Sequence, residues 1–93
     1  MNKVFGLSVI LPTLNEGKNL EILLPQLINN LNSVEGLIYE ILVIDDGSTD
    51  NTFELLNREE FNEKVKLIKR KEEPSLPMAL YEGIETGRYP FVA

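Results

Sequence analysis

Residues 39–52, with the sequence YEILVIDDGSTDNT, decide the fold of this chain. The apolar run at 41–44 is typical of a strand that is buried on both faces of a parallel sheet. Asp45 and Asp46 end that run side by side, and residues 47–50 have the composition of a tight turn that leads into a helix. Because open α/β sheets bind ligands at the carboxyl ends of their strands, the two acids indicate a binding site.

The composition of the chain excludes several classes of site. Fifteen acidic residues against nine basic ones give a net charge of −6, which argues against binding to nucleic acid or anionic membranes. Cysteine and histidine are both absent, which excludes disulfides, thiolate sites and a histidine base. No apolar run approaches the ~18–20 residues that span a bilayer. We therefore expect a cytoplasmic protein of one small domain, which a missing remainder could hold at the cytoplasmic face of a membrane.

The rest of the chain alternates strands with helices around this stretch. The patterns predict strands at 7–11, 40–44, 64–68 and from 89 onward, with helices at 18–32, from 52, and from 75 to 87. Pro12 is expected to end the first strand, because proline donates no hydrogen bond to a ladder. Pro25 is expected to kink the first helix, and Asp50 or Asn51 to cap the second.

Three further patterns predict which side chains are exposed and which are buried. Charged and apolar residues alternate at 64–68, as in an edge strand, and the charged run at 58–73 is expected to be solvated. In the third helix, helical spacing predicts one face in the core, made of Leu76, Ala79, Leu80, Gly83 and Ile84.

The alternation of elements implies a parallel sheet with right-handed crossovers. If the first two strands are neighbours, the loops after them open on one edge and bring together the acids and hydroxyls of Thr13, Glu16, Asp45, Asp46, Ser48 and Thr49. Such groups can accept hydrogen bonds from ribose hydroxyls or from the N–H of a base. Neither the dinucleotide-binding glycine motif nor the P-loop motif occurs, so a pyrophosphate would need a metal ion or cations from elsewhere.

Two motifs in this order resemble a known family. They are SVILPTLNE at 8–16 and EILVIDDGSTDNT at 40–52, followed by a helix with glycines near its end. Together they resemble the N-terminal half of family 2 glycosyltransferases, which have the GT-A fold and use nucleotide-diphosphate sugars. LNE at 14–16 and SLPMA at 75–79 look most like the branch of polyprenyl (dolichyl) phosphate mannosyl- or glucosyltransferases. The resemblance covers residues 5–93, nearly the whole chain.

The resemblance implies an α/β fold with a Rossmann-like parallel sheet of order 3-2-1-4 and crossover helices. Residues 1–93 would be the N-terminal part of a single GT-A domain, truncated before the Asp-x-Asp motif that holds Mg2+ or Mn2+ in the full-length enzyme. That enzyme would transfer a hexose from GDP- or UDP-hexose to an acceptor such as a polyprenyl phosphate. The fragment itself would bind no metal, contain no catalytic residue and be inactive.

The resemblance also assigns roles in nucleotide-sugar binding to eight residues, Pro12, Thr13, Leu14, Glu16, Asp45, Asp46, Gly47 and Ser48. The first three would line the base and ribose. Glu16 and Asp45 would contact the ribose or the sugar-nucleotide, and Asp46 would hold the edge of the base. Gly47 would allow close approach of the ligand, and Ser48 would support the loop.

The sequence leaves two other classes of protein open, and it also suggests that the chain pairs with a second copy of itself. Asp46-x-Ser48-x-Asp50 resembles a metal-ion adhesion site of the von Willebrand A type, which would make the chain a binding module. A phosphoacceptor receiver domain also uses paired acids, but after its first strand. The fourth strand would leave an unpaired apolar edge, through which we expect self-association by strand pairing or exchange.

Overall fold

A parallel sheet with helices between its strands forms the protein, and the computed structural model describes residues 4–58, 61 and 63–93. In chain order the elements are β1 (Phe5–Thr13), α1 (Gly17–Asn32), β2 (Leu37–Asp45), α2 (Thr52–Leu56), β3 (Val65–Lys69), α3 (Leu76–Thr86) and β4 (Phe91–Val92). Within these residues the sheet has the order β3-β2-β1-β4, and every strand pair is parallel. The predicted fold class and strand order are confirmed.

The second strand is the centre of the molecule. Its side chains alternate between two cores, as the period of a strand requires. Ile41 and Val43 pack with Leu20 and Leu24 of α1, whereas Leu42 and Ile44 belong to a smaller core with Ile10 and Ala79. Burial on both faces explains why residues 41–44 form a continuous apolar run.

The first strand is longer than predicted, because Pro12 does not end it. Pro12 lies inside β1, opposite Ile44 of β2. The amide of Ile10 donates to the carbonyl of Ala93 on the β4 side. The nitrogen of residue 12 faces the same side, since backbone groups two residues apart point in one direction. The hydrogen bonds that hold β1 to β2 therefore do not need the nitrogen of Pro12, and the pairing with β2 continues to Thr13.

The third helix buries a narrower face than predicted. Ala79 and Gly83 are its buried residues, while Leu76, Leu80 and Ile84 are exposed. A Cβ atom on Gly83 would lie only 2.5 Å from Cγ2 of Ile10. The backbone of α3 therefore lies close to β1 because its contact residues are small, and its larger apolar side chains are carried away from the sheet.

Three other local expectations have mixed outcomes. β3 is an edge strand of the described sheet, as the alternating pattern predicted. α1 is one helix that continues through the exposed Pro25. In the charged run at 58–73, Arg70 is buried, so the prediction of a solvated residue is wrong there; Glu59, Glu60 and Asn62 lie outside the described residues.

Replacing Ile41 by alanine should destabilise the protein by about 2–5 kcal/mol, because it leaves a cavity at a site with 0% exposure. Ile22→Ala is the matched control, since Ile22 is 65% exposed on α1. Urea unfolding of the two variants measures the difference. Equal losses of unfolding free energy would contradict the central place of β2 in the core.

Candidate functional site

The carboxyl ends of three strands meet at one edge of the sheet. Thr13 at the end of β1 lies opposite Asp45 at the end of β2, which lies opposite Lys69 at the end of β3. Two backbone hydrogen bonds continue this alignment, from the amide of Asp46 to the carbonyl of Thr13 at 3.0 Å and from the amide of Arg70 to the carbonyl of Asp45 at 2.8 Å. The loops that follow the strands therefore start level with one another.

Asp45 shapes the loop that follows β2. Its side chain is fully buried, and one carboxylate oxygen accepts from the amides of Gly47 at 2.9 Å and Ser48 at 2.8 Å. The other accepts from the hydroxyls of Thr13 at 3.3 Å and Ser48. Four donors thus satisfy the carboxylate within the protein, which a buried charge requires. Asp45 thereby closes the turn and joins it to the end of β1.

Gly47 is required by the backbone conformation of this turn. Its φ angle is +110°, a region that L side chains rarely adopt. A Cβ atom there would meet nothing within 4 Å, so conformation rather than space selects glycine. The turn that Asp45 closes is therefore built around Gly47.

Asp46 points to the opposite side and lies between a cation and a helix N-terminus. One carboxylate oxygen accepts from Nη1 of Arg70, and the other accepts from the amide of Ser75 at 3.2 Å. Ser75 caps α3, because its hydroxyl accepts from the amide of Met78. Asp46 thus joins the residue after β3 to the start of α3.

Arg70 is the site residue that the sequence interpretation missed. It follows β3 directly, and its side chain is buried. The hydrogen bond from Arg70 to Asp46 raises the pKa of the guanidinium, against the opposing effect of burial. Nε lies 3.2 Å from Oε2 of Glu82, an ion pair without hydrogen-bond geometry. The position of Arg70 after a predicted strand could have identified it, as the same position identified Asp45 and Asp46.

The loops after β1 and β2 are fastened to each other by side-chain to backbone hydrogen bonds. The side-chain oxygen of Asn15 accepts from the amides of Thr49 at 2.7 Å and Asp50 at 3.2 Å. In return, the amide of Asn15 donates to the hydroxyl of Ser48 at 2.8 Å. Asn15 has a φ of +55°, a conformation that asparagine tolerates better than most residues. The sequence interpretation placed Asn15 in the loop but gave it no role.

Asp50 stabilises the starts of two helices. One oxygen accepts from the amide and hydroxyl of Thr52 at the start of α2, and the other accepts from the amide of Gly17 at the start of α1 at 3.0 Å. The hydrogen bond from the Thr52 hydroxyl is the main reason that the pKa of Asp50 is lowered, with the bond from the Gly17 amide adding to it against the effect of burial. The predicted capping role of Asp50 therefore extends to α1, while the side chain of Asn51 makes no capping bond.

Four of the eight predicted site residues line one cavity of about 270 Å³, which is formed by Pro12, Thr13, Leu14, Asp46, Pro74, Ser75 and Leu76. Glu16 lies outside it, in a neighbouring hollow of about 270 Å³ that also includes Pro12 and Thr13. Its carboxylate accepts from the side chain of Asn19 at 2.6 Å. Asp45, Gly47 and Ser48 form the turn beside the cavity and are not among its lining residues.

A second and larger cavity, of about 570 Å³, adjoins the first at Ser75. Arg70 forms part of its wall together with Glu72, Glu73, Ser75, Met78, Tyr81, Glu82 and Glu85. Asp46 lines the smaller cavity, and its partner Arg70 lines the larger one. The site therefore offers carboxylates and apolar surface to a ligand, and its described cation is already paired.

The described residues contain no group of three or more acids that could hold a metal ion. The three side chains of the supposed adhesion site have separate partners: Asp46 bonds to Arg70, Ser48 to Asp45, and Asp50 to Gly17 and Thr52. The structure gives that alternative no support. The paired acids also follow the second strand, whereas a receiver domain has them after its first. Across the described part of the chain, no helix is both long and apolar enough to cross a membrane.

Replacing Asn15 by alanine should loosen the loop at 48–50. Each amide that loses its acceptor forfeits a hydrogen bond worth about 1 kcal/mol, so hydrogen exchange at Thr49 and Asp50 should rise about fivefold. NMR-detected exchange measures this, with Asn29→Ala on the exposed face of α1 as the matched control. Unchanged protection of both amides in Asn15→Ala would show that the loop does not depend on this side chain.

The chain is similar in sequence to known glycosyltransferases. The sequence model of glycosyl transferase family 2 matches residues 8–93. The chain is 42% identical over 78 residues to a dolichol-phosphate mannosyltransferase of Pyrococcus furiosus, which is 84% of this chain and 21% of that protein. It is 32% identical over 94 residues to a chondroitin synthase of Pasteurella multocida, which is 100% of this chain and 9% of that protein.

A solved structure shares the fold. It is the mannosyltransferase PcManGT from Pyrobaculum calidifontis in complex with GDP-Man and Mn2+, with a TM-score of 0.78 and 23% sequence identity. The superposition covers 98% of this chain and 27% of that one. The chain thus spans about a fifth or less of the two curated relatives named above. The family match over residues 8–93 shows that the chain belongs to glycosyl transferase family 2.

Proposed function

We propose that this chain binds the nucleoside part of a nucleotide-diphosphate hexose and forms that half of a hexosyltransferase donor site. The observation that carries the proposal is the position of Asp46. Asp46 is one of the residues that line a cavity at the carboxyl ends of the strands, where open α/β sheets bind ligands. The cavity, at about 270 Å³, is smaller than the ~300–1,000 Å³ of most small-molecule sites, which suits one part of a larger ligand.

In this proposal the base lies between residues 12–14 and Asp46. Pro12 and Leu14 supply apolar surface, and Thr13 adds a polar group at the end of β1. Asp46 accepts a hydrogen bond from an N–H of the base, which guanine and uracil both provide. Arg70 and the Ser75 amide hold the carboxylate in place. Asp46 can then act as an acceptor without the cost of an unpaired buried charge.

The remaining predicted residues act at the ribose side and through the loop. Glu16 lies in the hollow that shares Pro12 and Thr13 with the base cavity, so we propose that it accepts from a ribose hydroxyl. Both oxygens of Asp45 are already occupied by Thr13, Gly47 and Ser48. Because its carboxylate is occupied, we propose that Asp45 supports ligand binding indirectly. It fixes the shape of the turn, which brings the backbone near Gly47 towards the ligand.

We propose that the whole protein transfers a hexose to an acceptor. The hexose is mannose or a related sugar, and the acceptor can be a lipid phosphate. The names of the relatives support this, since they include a dolichol-phosphate mannosyltransferase and a mannosyltransferase bound to GDP-Man and Mn2+. We propose that residues 1–93 are the N-terminal part of one GT-A domain. A cytoplasmic location, with the parent enzyme at the membrane face, stays a prediction.

A divalent cation would neutralise the diphosphate of the donor when bound. The acids of the described chain do not fit a divalent cation, because no three of them lie close enough together to bind one. We therefore assign no described residue to the metal, and propose that its ligands lie in another part of the parent enzyme. The residues of this chain hold the nucleoside and exclude water from it.

Calorimetric titration with GDP and UDP, each with and without Mn2+, tests the proposal. We expect weak nucleotide binding that Mn2+ alters little. Asp46→Asn should weaken it about tenfold or more, as for a lost hydrogen bond to a charged group. Glu35→Gln, an exposed change in the loop before β2, is the control.

A circular dichroism melt establishes that Asp46→Asn still folds. Nucleotide affinity that is unchanged in this folded variant would contradict the role of Asp46. Binding as tight as that of an intact enzyme would contradict the half-site. Strong Mg2+ binding without nucleotide would instead favour a metal-dependent binding module.

We also propose that the chain self-associates through β4. Within the described residues this strand pairs with β1 alone, and Phe91 and Val92 are exposed. An exposed apolar edge strand is a template for pairing with another chain. Light scattering at high protein concentration should show dimers, and Val92→Lys should reduce them by placing a charge on the edge. A monomer at all concentrations would refute this proposal.

A further inference from the structure

A buried acid lies in the sheet, apart from the nucleotide site. Glu40 of β2 is only 4% exposed, and Ser8 lies opposite it on β1 with no exposure at all. The hydroxyl of Ser8 donates to Oε2 of Glu40 at 2.7 Å. Glutamate is rarely buried unless it is paired. None of the site interactions described above involves this pair.

The pair is occupied by the segment that leads into β4. The amide of Arg88 donates to Oε2 of Glu40 at 2.6 Å, and the amide of Tyr89 donates to the hydroxyl of Ser8 at 3.1 Å. These are consecutive backbone groups between α3 and β4. Residues on β1 and β2 therefore hold the point at which the chain returns to the sheet.

Two glycines allow this segment to lie directly on β1. A Cβ atom on Gly6 would lie 2.7 Å from Cγ of the Tyr89 ring, and a Cβ atom on Gly87 would lie 3.2 Å from Cβ of Ser8. Larger side chains at either position would push the segment away from the strand. The close packing and the two hydrogen bonds thus act on the same short stretch of chain.

The side chains of the fourth strand are poorly buried in the described structure. Phe91 pairs with Leu7 and Val92 with Ser8, and both side chains are about half exposed. Apolar burial therefore contributes little to the choice of register. A slip of one residue would move the strand by about 3.3 Å and turn its side chains to the other face.

We propose that Glu40 and Ser8 form a register clamp, a pair of positioning residues that set the alignment of β4 on β1 by binding the amides of Arg88 and Tyr89. The clamp determines how far the carboxyl end of β4 extends towards the edge where Asp46 lies. Its importance for the donor site rests on the proposed function. The alignment itself does not.

The charge state of Glu40 suits this role. Burial raises the pKa of its carboxyl group, but hydrogen bonds from Ser8, the Arg88 amide and Lys66 outweigh burial and hold the pKa below its ordinary value. Lys66 of β3 contributes through its ammonium, 3.3 Å from Oε1. The ionised carboxylate only accepts hydrogen bonds, so it matches the donors around it.

Residue-resolved hydrogen exchange tests the clamp. In Glu40→Leu the amides of Arg88 and Ala93 should exchange at least about tenfold faster relative to that of Val43 in β2, as for a lost charge-assisted hydrogen bond. Glu40→Gln keeps an acceptor oxygen and should restore much of the protection. Glu54→Leu, at an exposed position of α2, is the matched control.

A second variant keeps the test decisive if Glu40→Leu does not fold. Ser8→Ala removes the acceptor of the Tyr89 amide alone, so exchange should rise more at Tyr89 than at Arg88. If exchange at residues 88, 89 and 93 changes only in parallel with Val43, the pair is merely a part of the core and the clamp is refuted. The experiment needs no nucleotide, so its failure would leave the donor-site proposal to the calorimetry.

Discussion

The candidate site depends on the hydrogen bonds that the buried carboxylate of Asp45 accepts. Asp45 ends the central strand, and its four hydrogen bonds reach the neighbouring strand at Thr13 and the following turn at Gly47 and Ser48. A charge buried without such partners would cost several kcal/mol. The observed conformation of the turn supplies three of these donors. Everything else at this edge of the sheet is placed relative to that turn.

Asp46, the next residue, has the opposite relation to its surroundings. Its partners come from distant parts of the chain, Arg70 after β3 and Ser75 at the start of α3. One strand end thus directs two adjacent acids to different tasks, because successive side chains of a strand point to opposite faces. Asp45 builds the loop, and Asp46 lines the cavity. Pairing with Arg70 gives the buried side chain of Asp46 a cationic partner.

Much of this architecture could be predicted, and the failures have physical reasons. The apolar runs gave the strands, and their alternation with helices gave a parallel sheet, because few other arrangements bury such runs. Pro12 was wrongly expected to end β1, since a strand pattern does not show which side of the ladder the proline nitrogen faces. Arg70 was wrongly expected to be solvated, since its partner Asp46 lies 24 residues away. The larger apolar side chains of α3 were wrongly expected to be buried, because Gly83 decides how the helix approaches β1.

The sequence by itself determined the class of fold and, through two motifs, the family, and it predicted the candidate site at one edge of the sheet with two acids at its centre. Those features are local, because they follow from the period of a strand, the composition of a turn and short runs of residues. Only the tertiary structure decided the division of labour between Asp45 and Asp46, the role of Asn15 between the loops, and the clamp made by Ser8 and Glu40 on β4. Each of these is a contact between segments that are far apart in the chain, and sequence spacing carries no information about such contacts.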